Sequence, residues 1–157
     1  MLSTALQPAS EERRYSSWSL ICGDPLLSNC SLSQIVARDP QGKKVVLGAT
    51  VHIDRVSMRP RLSLRLSPDA LKEAGIGLKI EPGPEYRLPI AHCDTQVCEA
   101  NGWLEGDLRR QLEHAKVAQV AFRMNNRQQV LAPLSLQGLD QGLQELMRRA
   151  VRSPNPR

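Results

Sequence analysis

Apolar residues return at every second position through much of this chain, and few folds accept that period. In Arg61–Leu66 the alternation is clean, with Leu62, Leu64 and Leu66 set against Arg61, Ser63 and Arg65. Period two belongs to strands, and apolar–polar alternation marks a strand with one buried and one wet face. Lys44–Ile53 repeats it, with Val45, Leu47, Ala49, Val51 and Ile53 opposite Gly48, Thr50 and His52. Ile76, Leu78 and Ile80 alternate again, as do Val120, Phe122 and Met124. Asn125–Asn126 then reads as a turn, and Gln128–Leu134 as the returning strand, which predicts a hairpin around Asn125–Arg127. Tyr15–Cys22 and Ser31–Ala37 complete the expected strands. Pro60 falls at a strand start, where a missing N–H does little harm. Gly75-x-Gly77 precedes a strand rather than a helix, so it reads as a turn permitting positive φ and not as a phosphate loop.

Two segments have helical spacing instead. Leu104, Leu108 and Leu112 form one apolar stripe within Trp103–Ala115, and Leu139, Leu143, Leu146, Met147 and Ala150 form another within Leu139–Val151. Arg148, Arg149 and Arg152 sit at the end of the second, where cations suit the helix dipole. Many short strands and few helices predict a mainly β domain, a β-sandwich or barrel with two peripheral helices, about 103–115 and 139–151, packed outside it. The 157 residues fit one domain. With 41% hydrophobic residues and only Trp18, Trp103, Tyr15, Tyr86 and Phe122 as aromatics, its core must be aliphatic. The expected organisation is a flexible lead-in over 1–14, a single β-rich domain over 15–151 and a loose tail over 152–157, where two prolines fall.

Four cysteines form two close pairs, Cys22/Cys30 and Cys93/Cys98. An even number so arranged suggests disulfides and an oxidising compartment. Of the three possible connectivities, local pairing is the simplest because each loop is short. A zinc site fits poorly, since only Cys93/Cys98 touches the usual thiol spacing. No apolar run approaches the roughly 20 residues of a membrane span. Met1–Arg14 lacks a basic start followed by an apolar stretch, so no export signal is visible. Either the chain is a cytoplasmic product, or its signal was trimmed and a new Met1 added.

The catalytic vocabulary is sparse. No nucleophile elbow occurs, and no two of His52, His92 and His114 form a metal-binding pair at helical spacing. Glu99, Glu105 and Asp107 are close in sequence, but the last two open a helix, where acids favour the dipole. The net charge is +5 with dispersed arginines. That pattern lacks the basic stripe and stacking aromatics of a nucleic-acid binder. The one surface that carries a binding expectation is the strand side bearing Arg59, Arg61 and Arg65 with Ser63, suited to an anionic polysaccharide or lipid headgroup; the plainer reading is a charged face that protects an edge strand.

In order, these residues resemble the invasion-associated locus B family of bacterial envelope proteins. Trp18–Cys22 followed by Cys30 matches its opening. Leu64–Pro68 with Gly75–Leu78 matches its middle. Cys93–Ala100 matches its second cysteine pair, with Val97 where glycine is usual. Pro133–Leu139 matches its closing "P-x-S-L-x-G-F" passage, with Leu139 in place of Phe. Gln141-Gly142-Leu143 also departs from the usual Ala before Leu. The resemblance spans roughly Tyr15 to Ala150. It implies a periplasmic or outer-membrane-associated β-sandwich without a known enzyme activity. Of individual residues it carries over only the disulfide cysteines Cys22, Cys30, Cys93 and Cys98. A full structural vocabulary beside an empty catalytic one adds the expectation of a non-enzymatic exported protein without cofactor that binds another protein in the envelope, as an accessory subunit of a membrane-associated complex or a virulence-associated factor.

Overall fold

The computed structural model describes residues 11–23, 29–38, 44–81 and 83–152. These form strands β1 (Glu11–Tyr15), β2 (Trp18–Cys22), β3 (Cys30–Ala37), β4 (Val45–Ile53), β5 (Pro60–Leu66), β6 (Ile76–Ile80), β7 (Glu85–Leu88), β8 (Ile90–Cys93), β9 (Cys98–Trp103), β10 (Val117–Arg123) and β11 (Gln129–Ser135). Two helices accompany them, α1 (Gly106–His114) and α2 (Leu139–Arg152). One sheet has seven strands in the order β1-β2-β3-β4-β5-β9-β8; the other has four, β11-β10-β6-β7. All pairings are antiparallel. Neither sheet closes on itself, so the architecture is a mainly β, sandwich-like domain and not a barrel.

The alternation read from sequence sorts the two faces. Leu62, Leu64 and Leu66 of β5, Leu47, Ala49, Val51 and Ile53 of β4, and Ile76, Leu78 and Ile80 of β6 are all buried in one shared core. Against them lie Ala118, Val120 and Phe122 of β10 and Val130, Ala132 and Leu134 of β11. The core is almost wholly aliphatic, with Trp18 and Phe122 its fully enclosed aromatics. The expected hairpin joins β10 to β11, with Arg127 at positive φ donating its N–H to the Met124 carbonyl at 2.8 Å. Gly75 also has positive φ, and a Cβ there would meet the Leu88 carbonyl at 2.9 Å. Proline is tolerated at Pro133 because β11 is an edge strand.

Several expectations are corrected. Tyr15–Cys22 is not one strand: the chain turns at Ser16, whose φ is 54°, and Glu11–Arg14, expected to be loose, form β1 against β2. The remainder of the expected lead-in, residues 1–10, and residues 153–157 of the tail lie outside the described residues, while Arg152 ends α2. The first helix does not begin at Trp103. That residue ends β9, paired with Arg61, and Leu104 completes the apolar stripe from the connecting segment. Strands β7, β8 and β9 are short and half-polar, so their period was not legible. Val45, at the end of β4, is exposed where the β3–β4 register shifts.

The helices refine the layering. Helix α2 is not outside the sandwich: it packs on the inner face of the larger sheet, across β2, β3 and β4, and buries Leu139, Leu143 and Leu146 there. Gly142 permits this approach, because a Cβ at that position would lie 2.6 Å from a Leu32 methyl.

Candidate binding face

The inner face of the seven-stranded sheet is covered by the small sheet and α2, which leaves its outer side chains to be accounted for. Register places them in rows across the strands. Ser19 of β2 faces Ser33 of β3, which faces Thr50 of β4, then Ser63 of β5 and Asn101 of β9. This central row consists only of short polar side chains, and the Ser63 hydroxyl donates to Asn101 Oδ1 at 2.8 Å. On one side of it runs Ile35–Gly48–Arg65–Glu99. On the other side His52 faces Arg61, which faces Trp103.

Ile35 and Ile21 break the polar rule of this face. Ile35 is 67% exposed and Ile21 is 42% exposed. Glycine at position 48, between Ile35 and Arg65, leaves the surface low at that point. The result is a trough of about 530 Å³ lined by Ile21, Ser33, Ile35, Gly48, Thr50 and Arg65. The signal was present in the sequence: within Ser31–Ala37, Ile35 has the same parity as Ser31 and Ser33, an apolar residue at a wet-face position. A strand assignment for Ser31–Ala37 does not by itself reveal it, because the strand's two faces must also be sorted.

The three arginines are brought near one another only in part. Arg61 and Arg65 project from β5 on the outer face, while Arg59 precedes the strand. The Arg59 guanidinium lies 3.9 Å from the centre of the Trp103 ring and that of Arg61 lies 5.1 Å from it, so the indole carries two cations. Arg59 also grips Glu105, through Nε–Oε2 at 3.0 Å and a second contact from Nη2 to Oε1. That hydrogen bond holds the Glu105 carboxyl below its usual range and raises Arg59 further. Arg65 reaches the Thr50 hydroxyl at 3.3 Å and stands opposite Glu99 in register. The edge-protection reading of these arginines does not hold, since β5 is an interior strand between β4 and β9.

The histidines stand apart. His52 lies in the row with Arg61, His92 is 3.5 Å from the Asp94 carboxylate, and His114 Nδ1 is 2.7 Å from the Arg110 carbonyl one turn back in α1. Among the described residues no group of three or more His, Cys, Asp or Glu side chains could hold a metal ion.

Both disulfides join register partners. Cys22–Cys30 ties β2 to β3 and Cys93–Cys98 ties β8 to β9, at diagonally opposite corners of the large sheet. Asp94 closes the second hairpin by accepting the Gln96 and Val97 N–H groups at 2.8 Å each, which lowers its pKa. The first corner holds an ion-pair cluster that was not foreseen. Arg149 of α2 forks onto Glu11 of β1, with both contacts at 2.9 Å, and onto Glu145 at 2.7 Å. Arg149 and Glu145 are one helical turn apart, a spacing visible in the sequence; the partner from β1 was not.

The segments at the two ends of the chain meet in a second polar cluster. Ser135 accepts at its carbonyl from the Trp18 indole N–H at 2.9 Å and from the Gln34 amide at 2.8 Å, and its own N–H donates to Gln34 Oε1 at 3.0 Å. The Ser17 hydroxyl donates to the Ser135 hydroxyl at 2.7 Å. The Trp18 opening and the Pro133–Leu139 passage are thus joined in space.

Comparison with known proteins returns to these same segments. The sequence profile described as Invasion associated locus B (IalB) protein matches residues 18–147. A search of curated proteins finds no match. Among solved structures, the chain is similar to the crystal structure of invasion associated protein B from Bartonella henselae, with a TM-score of 0.76 and 17% identity over 88% of this chain and 97% of that one. At that identity the likeness establishes a shared fold. The profile match covers most of the chain, from Trp18 through both disulfides to Met147 of α2, and the chain therefore belongs to the invasion-associated locus B family.

Proposed function

We propose that this chain is an exported, non-enzymatic envelope protein that works by binding another protein, as an accessory subunit of a membrane-associated complex, and that its docking surface is the outer face of the seven-stranded sheet. The observation that carries this reading is the trough on that face, with Ile35 and Ile21 exposed beside a row of short polar side chains. The trough has an exposed isoleucine on each side of its polar row, and exposed apolar groups rimmed by polar ones commonly mark protein-binding sites. Two disulfides support a periplasmic or outer-membrane-associated setting, since such bonds persist in oxidising compartments. No helix among the described residues is long and apolar enough to cross a membrane. The family's name adds a virulence-associated setting for such binding.

The partner's matching surface is expected to be an apolar ridge that seats between Ile21 and Ile35. Binding of an anionic polysaccharide or lipid headgroup through Arg59, Arg61 and Arg65 has less support, because Glu105 already engages Arg59 and Glu99 faces Arg65.

The test is co-purification from envelope extracts using wild-type protein and an Ile35→Asp/Gly48→Arg variant. A Cβ at Gly48 meets nothing closer than 3.9 Å, so the variant is expected to fold. Loss of a stoichiometric protein partner with an unchanged melting temperature supports the reading. Retention of the partner by the variant, or no stoichiometric partner of the wild type, refutes it.

A further inference from the structure

The two disulfides stand in different chemical surroundings, and the difference concerns which sulfur can leave as a thiolate. Cys22 is buried at 2% exposure, and its Sγ lies 3.2 Å from Nη1 of Arg149. Cys30 is only partly buried, and it borders a cavity of about 410 Å³ lined also by Ser31, His52, Asp54, Val56 and Leu146. The buried sulfur therefore has a cation against it, shared with the Glu11 and Glu145 carboxylates, and the residue carrying the other sulfur borders open space. At the second bridge, Cys98 is fully buried with its Sγ 3.7 Å from the Pro68 carbonyl oxygen, a partner that opposes negative charge on sulfur.

We propose that the Cys22–Cys30 disulfide is a thiol–disulfide exchange site at which Cys30 is the sulfur attacked and Cys22 is the leaving group. A thiolate entering by the cavity forms a new S–S bond to Cys30 Sγ. The Cys22–Cys30 bond breaks, and its electron pair stays on Cys22 as a thiolate held by Arg149. The rate of such exchange rises as the leaving thiol's pKa falls, and an adjacent guanidinium lowers that pKa. With a dithiol as the co-reactant, its second thiolate then attacks its own sulfur in the mixed disulfide. Cys30 leaves as thiolate, the dithiol is oxidised to a disulfide, and the Cys22–Cys30 pair is reduced by two electrons and takes up protons from water. The reactant class is a thiol, carried on a small molecule or on a protein dithiol of the envelope. Cys93 is partly buried like Cys30, but the buried sulfur of its bridge faces a carbonyl oxygen rather than a cation, and Cys93–Cys98 is a structural bond. Reduction also has a consequence for β1: Nη1 of Arg149 serves Glu11 as well as Cys22, so a Cys22 thiolate competes for the guanidinium that holds β1 to α2.

The test treats the oxidised full-length chain with reduced glutathione at neutral pH, traps free thiols with iodoacetamide and maps the peptides by mass spectrometry. The expected result is glutathione on Cys30, alkylated Cys22, and Cys93–Cys98 opening more slowly by about tenfold, given the dependence of exchange on the leaving thiol. Glutathione found mainly on Cys22, or both bridges opening at one rate, overturns the proposal. Arg149→Gln is expected to slow opening of the first bridge by roughly threefold or more, while Arg149→Lys, which keeps the charge, retains most of it. Equal or faster opening in Arg149→Gln than in Arg149→Lys also overturns it. If Arg149→Gln does not fold, the wild-type map decides alone.

Discussion

Gly138 is where the closing passage of the chain touches its opening, and replacing it with alanine measures that contact. Its φ is +89°, and an added Cβ would lie 1.9 Å from the Tyr15 carbonyl oxygen and 2.6 Å from the Tyr15 carbonyl carbon. The obstacle is backbone, so no rotamer change relieves it. Left-handed geometry costs a non-glycine residue about 1–2 kcal/mol. The β1–β2 turn must then retreat by more than an ångström. That breaks the Ser17 N–H bond to the Gln137 carbonyl at 3.2 Å and the Ser17–Ser135 hydroxyl bond at 2.7 Å. At about 1 kcal/mol for each hydrogen bond, the expected destabilisation is roughly 3–4 kcal/mol. In a domain of this size that lowers Tm by roughly 6–16 °C. Gly142→Ala is the comparison: its Cβ meets a methyl of the buried Leu32 at 2.6 Å, overpacking of about 1–3 kcal/mol that helix propensity offsets by about 1 kcal/mol, so it costs less than Gly138→Ala. Thermal and urea unfolding of both variants, with the disulfides intact, makes the comparison. A Gly138→Ala protein within about 0.5 kcal/mol of wild type, the spread of an ordinary surface change, would refute the close approach.

Other perturbations follow from the same contacts. Trp18→Phe keeps the Ser135 carbonyl satisfied through Gln34, so its cost is lost packing of about 1–3 kcal/mol by urea unfolding. Gln34→Ala removes the acceptor of the Ser135 N–H and is expected to cost about 1–3 kcal/mol in the same assay. Glu11 and Glu105 have carboxyl pKa values held down by hydrogen bonds from Arg149 and Arg59, and Asp54 and Asp94 by turn hydrogen bonds. The folded state thus binds fewer protons than the unfolded chain, and their stabilisation is complete above the normal carboxylate range and lost as pH falls through and below it. Glu11→Gln should flatten that acid limb in a pH series of unfolding midpoints; an unchanged limb would remove Glu11 from it. Replacing Cys93 and Cys98 together with serine should cost roughly 2 kcal/mol for so short a loop, read as a lower urea midpoint.

How much of this was legible depends on how a residue earns its place. Wherever one strand face is buried, period two reveals it: the Leu62–Leu66 alternation and the Ile76–Ile80 set lie in the core as read. Hairpin chemistry at Asn125–Arg127 was equally plain, because turns are local. Glu85–Leu88 and Ile90–Cys93 were not legible, being short segments whose pairing comes from neighbours rather than from their own pattern. Trp103 was assigned to a helix because Leu104 shares the stripe of Leu108 and Leu112, yet pairing with Arg61 holds it in a strand. The arginine side of β5 was legible as a face but not as an interior one, since strand order is a long-range property. The trough is a product of register: Ile35, Gly48 and Arg65 become neighbours only when β3, β4 and β5 are laid side by side. Arg149 likewise could be read as a helix-end cation, but its hold on Glu11 and its position at Cys22 join residues more than a hundred positions apart.

The claim that this protein works through the outer face of its large sheet is tested most directly by cross-linking in the living host. A photoreactive amino acid placed at Ile35, exposed on that face, is compared with one at Leu131, which is similarly exposed on the outer side of the small sheet. Docking on the trough predicts one discrete protein adduct from position 35 and none from position 131. No adduct at position 35, or the same adducts from both positions, would contradict it.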